Sequence, residues 1–262
     1  MKALLLFLHS VPDLVALPLV VGVIVFAAMA APFFGKLVLR VPANDARDDA
    51  AFDAYKAIMA MVSVVLAFSL VQVNGNLRAC ETLVAREGAA FATVDRTLLR
   101  FGAESAVAIR PLLNAYGRSR IRDEWPALTR GDRSQVTDDA YVALSAASRS
   151  IDPTTPRQQA MFAELLRGLD ELAEVRELVI QDSSTSLPPF FWAVTVGFLM
   201  LAFFLGVLTR AALGRAVGLG GAAAGVALLL AFVIIVDEPF KGETSVSPAA
   251  IQKALNLNAR RI

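Results

Sequence analysis

Residues 57–77 read AIMAMVSVVLAFSLVQVNGNL, a run of 21 residues without a charged side chain. A helix of this length can cross the ~30 Å hydrocarbon core of a bilayer. The sequence continues through residues 78–96 as RACETLVAREGAAFATVDR, with no proline and no pair of glycines to end the helix. We therefore predict one long helix that begins in the membrane and ends in water.

Polar side chains interrupt the apolar run at Ser69, Gln72 and Asn76. Residues three and four apart share one face of a helix, and a polar face is costly in contact with lipid. If several copies gather around an axis, this helix lines a pore. Val65 and Phe68 would then lie near a hydrophobic constriction, with the three polar residues towards the wider end. The alternative is that the polar side chains bond to neighbouring helices.

The composition is typical of a membrane protein and gives no sign of catalysis. Hydrophobic residues make up 56% of the 262 residues, above the ~45–50% apolar content of soluble domains. The formal charge of +1 indicates no basic surface for nucleic acid. One histidine, His9, and one cysteine, Cys80, exclude most metal sites and any disulfide within the chain. We predict no enzyme activity, no cofactor and no metal site.

The chain contains three further apolar runs long enough to cross a membrane, at about residues 14–34, 190–209 and 216–236. The predicted fold class is therefore all-α, a polytopic membrane protein with four transmembrane helices in two pairs. The predicted domains are residues 1–77, an extramembrane helical domain at 78–189, residues 190–236, and a post-membrane tail at 237–262. We interpret residues 1–13 as a segment lying at the membrane interface, with a cleaved signal peptide as the alternative.

The connection between the first two spans, residues 35–56, contains both acidic and basic side chains. Its acidic residues are Asp45, Asp48, Asp49 and Asp53. The simplest interpretation is a solvated loop in which Asn44 or Asp45 caps the second span. The alternative is a ring of carboxylates at a pore mouth in an assembly.

Residues 78–189 have the pattern of a helical bundle. We expect helices that run to about residue 101, over about 103–122 with an interruption at Pro111, from Thr137, and from Thr155 with Pro156 in the first turn. The last helix has an apolar stripe typical of a bundle core, made of Met161, Leu165, Leu169, Leu172, Val175 and Val179. The first half is rich in arginine and the second in carboxylates, so we expect the halves to pack together. The carboxylate pairs have the spacing of a helix surface.

The fourth span contains small residues at four-residue steps. They are Gly214, Gly218 and Ala222 in one series, and Gly221 and Gly225 in another. Such steps allow helix backbones to approach closely in lipid. We predict that this span packs against another helix.

Two stretches together resemble the bestrophin-like family of bacterial membrane proteins. The more specific one is DEPFKGETSVSP at residues 237–248, directly after the last span. The other is the second helix, with Phe68 in the membrane, then Glu87 and Arg96 further along. The signature residues after the last span are Asp237, Pro239, Phe240, Gly242 and Glu243.

This resemblance implies a homo-oligomeric ion channel, in five copies, whose second helix lines the pore. It also implies a bacterial inner membrane, with both termini and the helical domain in the cytoplasm, and inorganic ions and lipid as partners. The positive-inside rule does not decide the orientation, because the two sides carry similar numbers of basic residues near the membrane. In bestrophins an acidic calcium clasp follows the signature, but here only Glu243 precedes Thr244 and Ser245, so we expect no calcium site. The alternative function is a non-conducting scaffold or sensor whose helical domain binds a partner or small ligand.

Overall fold

The computed structural model describes residues 13–38, 45–101, 104–242 and 244–259, and within these ranges it contains helices and no strand. The helices are α1 (Asp13–Leu37), α2 (Asp45–Phe101), α3 (Glu104–Val107), α4 (Arg110–Ser119), α5 (Trp125–Leu128), α6 (Gln135–Arg149), α7 (Pro156–Ser183), α8 (Pro189–Leu208), α9 (Leu213–Val236) and α10 (Ala249–Ala259). A π-helical turn, Arg120–Glu124, joins α4 to α5. The all-α fold class is confirmed. Asn44, Glu243 and the predicted interfacial segment up to residue 12 lie outside the described residues.

The chain divides into two compact units. The first, which we call the membrane unit, comprises Met1–Gly75 and Ser186–Thr244. The second, the helical unit, comprises Asn76–Thr185 and Ser245–Ile262. The helix α2 passes from one unit into the other.

Four helices are long and apolar enough to cross a membrane: α1, α2, α8 and α9. Within the membrane unit, α1 packs against both α8 and α9. Small residues allow the close contacts, since a side chain at Gly35 would collide with the backbone carbonyl of Val207. The most buried spanning helix is α9, with Leu219, Ala227 and Val233 inaccessible to solvent.

The helix α2 is continuous over 57 residues, as the uninterrupted sequence predicts. It begins at Asp45, twelve residues before the predicted span, because the preceding segment is itself amphipathic. Ala51, Tyr55 and Met59 repeat at four-residue steps and are buried. Asp48 lies in the first turn, where a negative charge favours a helix N-terminus.

The helical unit contains the predicted bundle, with small shifts at helix starts. The predicted interruption near Pro111 is a break between α3 and α4, and Pro111 lies in the first turn of α4, where a proline is tolerated. The helix α6 begins with Ser134 as its N-cap, because the Ser134 hydroxyl accepts a hydrogen bond from the Thr137 N–H. Thr155 and Gln158 form a capping box at the start of α7.

A hydrophobic core made from α2, α4, α6, α7 and α10 organises the helical unit. Five of the six residues in the predicted α7 stripe are buried, and Met161 packs against this core half-buried. The helix α10 was not predicted, because residues 249–259 were interpreted as part of a tail. Its Ile251 and Ala254 are buried, and a side chain on Gly88 of α2 would collide with the backbone of Ala250. This part of the chain therefore belongs to the helical unit.

Candidate functional site

One face of α2 is exposed within the membrane unit. Its residues are Met61, Val64, Phe68, Val71 and Gly75, which we call the α2 membrane face. The exposed fraction is 57% for Met61, 74% for Phe68 and 72% for Val71. The residues alternate at steps of three and four and so share one side of the helix. The opposite side, with Val62, Leu66 and Val73, is buried.

The predicted pore-lining residues fall at different positions around this helix. Phe68 and Gln72 are exposed, whereas Val65 and Asn76 are half-buried. Ser69 is buried, and its hydroxyl donates a 2.9 Å hydrogen bond to the Val65 carbonyl of its own helix. The stripe is therefore split, with Phe68 and Gln72 on the open side and Ser69 turned towards the chain.

Within the helical unit, α2 also has an exposed face. It consists of Arg78, Thr82, Ala85, Ala89, Arg96 and Arg100, which we call the α2 distal face. The Arg96 guanidinium donates to the Thr93 hydroxyl at 2.9 Å. Among the described residues, no carboxylate lies within ion-pair distance of Arg78, Arg96 or Arg100. This face therefore combines small side chains with uncompensated positive charge.

A cluster of buried charged side chains lies behind the α2 distal face, inside the helical unit. Glu87 is 1% exposed and accepts two hydrogen bonds of 2.6 Å from the guanidinium of Arg120, which is fully buried. Glu124 accepts two more, of 2.8 and 2.9 Å, from Arg176. Arg176 also donates to Asp138 at 2.7 Å. Opposite charges alternate along the cluster, so each buried ion is compensated.

The π-helical turn places both Arg120 and Glu124 in the interior. One extra residue in the turn changes the direction of the side chains that follow, and such turns are frequent at functional sites. Arg120 Nη1 lies 3.4 Å from the Glu124 carboxylate, which links the two bidentate pairs. Burial alone would lower the pKa of Arg120, but the charge and hydrogen bonds of Glu87 outweigh it and raise the pKa.

Tyr116 completes the buried cluster, because its hydroxyl donates to the Glu87 carboxylate at 3.3 Å. Burial raises the pKa of Tyr116 well above its usual value, and the negative charge of Glu87 raises it further. The spacing typical of a helix surface therefore does not describe Glu87 and Glu124, which are both buried. The roles of Arg120, Glu124 and Arg176 were missed, since Arg120 and Glu124 have the spacing of an ordinary surface pair and Arg176 is distant from both in sequence.

The signature residues after α9 lie close together in sequence but have separate contacts. The Asp237 carboxylate accepts a 2.7 Å hydrogen bond from the backbone N–H of Leu187, just before α8. Pro239 and Phe240 are buried. Gly242 has φ of 78°, a left-handed conformation that favours glycine. Glu243 lies outside the described residues.

The aspartates of the first connection bond to their own chain. Asp48 is 7% exposed and accepts hydrogen bonds from the Arg210 N–H at 2.7 Å and from Arg215 Nε at 3.0 Å. Asp49 also pairs with Arg215. Asp48 thus connects the first turn of α2 to Arg210 before α9 and to Arg215 in the first turn of α9, whereas Asp45, Asp49 and Asp53 are exposed.

The small residues predicted for packing divide into two sets. A side chain added at Gly218 would meet the ring of Phe52 at 3.0 Å, whereas Gly214, Gly221 and Gly225 have no atom within 4 Å of that position. Ala222 is half-buried. The close packing of α9 on α1 instead involves Gly220, which lies against Met29. Contact of the open glycines with another helix stays a prediction.

A known family and a known structure match most of this chain in sequence or in fold. Residues 21–251 match a family model described as a bestrophin-like domain. No curated protein matches the sequence. A crystal structure described as that of a membrane protein is similar, with a TM-score of 0.64 and 13% sequence identity. The match covers 92% of this chain and 96% of that chain, and at this identity it concerns the fold alone.

Proposed function

We propose, from the premise that this chain belongs to the bestrophin-like family, that copies of it assemble into an ion channel whose pore is lined by α2. The observation that carries this proposal is the exposed α2 membrane face. It presents Val64 and Phe68 on the free side of a helix whose other side is buried. Rings of such apolar side chains form a constriction that gates by dewetting.

The polar residues of α2 have different positions in the proposed pore lining. Gln72 is exposed one turn beyond Phe68 and offers an amide to hydrated ions. Val65 and Asn76 lie at the edges of this face, where neighbouring copies would meet. Ser69 is already bonded within the helix, so we assign it a supporting position and not one on the pore surface. The resemblance to bestrophins favours five copies around the axis.

The experiment compares currents through the purified protein in planar bilayers. Phe68→Ala should increase single-channel conductance at least twofold by widening the constriction, whereas Val65→Trp and Gln72→Leu should reduce it. Phe26→Ala on α1 is a matched control, because Phe26 is 75% exposed and Phe68 is 74% exposed. Equal effects of Phe68→Ala and Phe26→Ala would contradict pore lining by α2. A well-folded assembly without current would instead favour the scaffold or sensor.

We also propose the inner membrane of a bacterium as the location, with both termini and the helical unit in the cytoplasm. Cys80 is 2% exposed, so a test by thiol labelling needs an introduced cysteine. In a Cys80→Ala background, Glu164→Cys on α7 should react with an impermeant maleimide only after the cells are opened. Asp53→Cys, in the first connection, should react in intact cells. The reverse pattern would place the helical unit outside the cytoplasm.

A further inference from the structure

A cavity of about 290 Å³ lies among the four spanning helices of the membrane unit. Ala27 and Ala31 of α1, Met59 of α2 and Phe203 of α8 are among the residues that line it, together with Ala223 of α9. All of these residues belong to the membrane unit. The space exists because small side chains occupy positions where larger ones would close it.

The lining of this cavity is hydrocarbon, with methionine thioethers and one hydroxyl. The hydroxyl belongs to Tyr55, and it donates a 2.9 Å hydrogen bond to the Leu219 carbonyl. A buried water needs two to four polar partners, and apolar cavities of about 150 Å³ stay dry and bind ligands such as benzene. A cavity about twice that volume has room for a larger apolar ligand.

The mouth of the cavity is formed by apolar residues on α1 and α8. Val23 is 61% exposed, Val196 is 48% exposed and Met200 is 63% exposed, and all three line the cavity. Each lies well inside a helix long enough to cross a membrane. At this depth the surrounding medium is the hydrocarbon chains of the bilayer.

We propose that this cavity binds one acyl chain of a membrane phospholipid. The chain enters between Val23 of α1 and Met200 of α8 and packs against Met59 and Phe203. No charge or free polar group in the lining opposes it. Because the acyl chain comes from hydrocarbon and not from water, van der Waals contacts with the lining hold it. The site does not depend on ion conduction, so it stands whether or not the chain forms a channel.

The test counts phospholipid molecules that stay bound after purification. The full-length protein is reconstituted in dioleoylphosphatidylcholine vesicles and extracted in mild detergent. Native mass spectrometry then measures the mass of the protein with its retained phospholipid. We expect one retained phospholipid per chain for the wild-type protein. Ala27→Leu, which fills the cavity, and Val196→Phe, which closes its mouth, should lower retention at least fivefold. Ala30→Leu on α1 and Val217→Phe on α9, which do not line the cavity, should retain the lipid.

Three results would overturn the proposal. Unchanged lipid retention in both Ala27→Leu and Val196→Phe would show that the lipid binds elsewhere. If both variants instead changed the dissociation of copies from one another, with the lipid count unaltered, a second copy would be the occupant. The wild-type protein gives an independent readout, since n-decane should raise its unfolding temperature as a ligand of the native state does. No rise with n-decane would also contradict an acyl-chain site.

Discussion

Glu87 shows that the neighbours of a residue in sequence do not reveal its partners in the folded chain. It lies in an ordinary stretch of helix, yet its carboxylate is 1% exposed and bonded to Arg120 on both oxygens. Placing ions in an apolar interior is costly unless each is paired and hydrogen-bonded. The pairing with Arg120 and Tyr116 is therefore what permits a carboxylate at this position.

Replacing Glu87 by a neutral residue should lower the denaturant concentration at which the helical unit unfolds. Glu87→Gln leaves the buried Arg120 charge without its main partner, and breaking a buried pair in this way costs ~3–5 kcal/mol. Glu171→Gln is the control, because the Arg86–Glu171 pair is about half exposed and such pairs contribute ~1 kcal/mol or less. Denaturant unfolding followed by circular dichroism measures both. Equal midpoints for the two variants would contradict the role of the buried pair.

Tyr116 predicts how stability depends on pH. Its pKa in the folded protein lies well above the usual 10.0 because of burial and the charge of Glu87. The contribution of this phenol to the free energy of unfolding is therefore fully present below pH 10, and it decreases as the pH rises towards the folded-state pKa. Between pH 9 and pH 11, ~1 unit either side of the ordinary pKa, the free energy of unfolding should decrease more for the wild-type protein than for Tyr116→Phe. Denaturant titrations of both proteins measure this difference. A larger loss in Tyr116→Phe would contradict this assignment.

At the scale of elements, helix contacts in the membrane unit depend on where each glycine lies. Gly35 faces the backbone of Val207 on α8, whereas Gly225 on α9 has open space around it. Both positions are helical, so the difference comes from the neighbouring helix and not from the local sequence.

A methyl group should therefore have opposite consequences at these two glycines. Gly35→Ala forces α1 and α8 apart and should destabilise the protein by ~1–3 kcal/mol, the usual cost of overpacking. Gly225→Ala should leave the folded chain unchanged or slightly more stable, since alanine favours a helix. Thermal unfolding in detergent measures both variants. A strong loss of stability for Gly225→Ala, at unchanged oligomeric state, would contradict the open position of this glycine.

For the whole molecule, the proposed assembly would repeat every exposed charge of the α2 distal face around one axis. Arg96 and Arg100 have no carboxylate within ion-pair distance among the described residues, so copies brought together by α2 would concentrate positive potential there. Such a ring attracts anions and repels cations.

Reversing one of these charges should change ion preference without abolishing current. Arg96→Glu should shift the reversal potential in a tenfold KCl gradient towards that of potassium. Arg118→Glu is the matched control, because Arg118 is also exposed but lies on α4. Reversal potentials in planar bilayers measure the effect. The same shift in both variants would indicate a general charge effect and contradict a specific role for the α2 distal face.

Local sequence patterns predicted the long helices of this protein. Four apolar runs predicted the spanning helices, and the missing breaker after residue 77 predicted the continuous α2. The Thr155–Pro156 pair and the apolar stripe of α7 predicted a bundle helix correctly. These features are local, because helix length, caps and periodicity depend on residues within a few turns of one another.

Which side of each helix is open depends on the packing of distant parts of the chain. Ser69 and Gln72 are three residues apart, yet one is buried and the other exposed. The buried cluster of Glu87, Arg120 and Glu124, and the docking of α10, depend on contacts between distant parts of the chain. The physical reason is that periodicity shows which residues share a face, whereas burial depends on which other helix packs against that face.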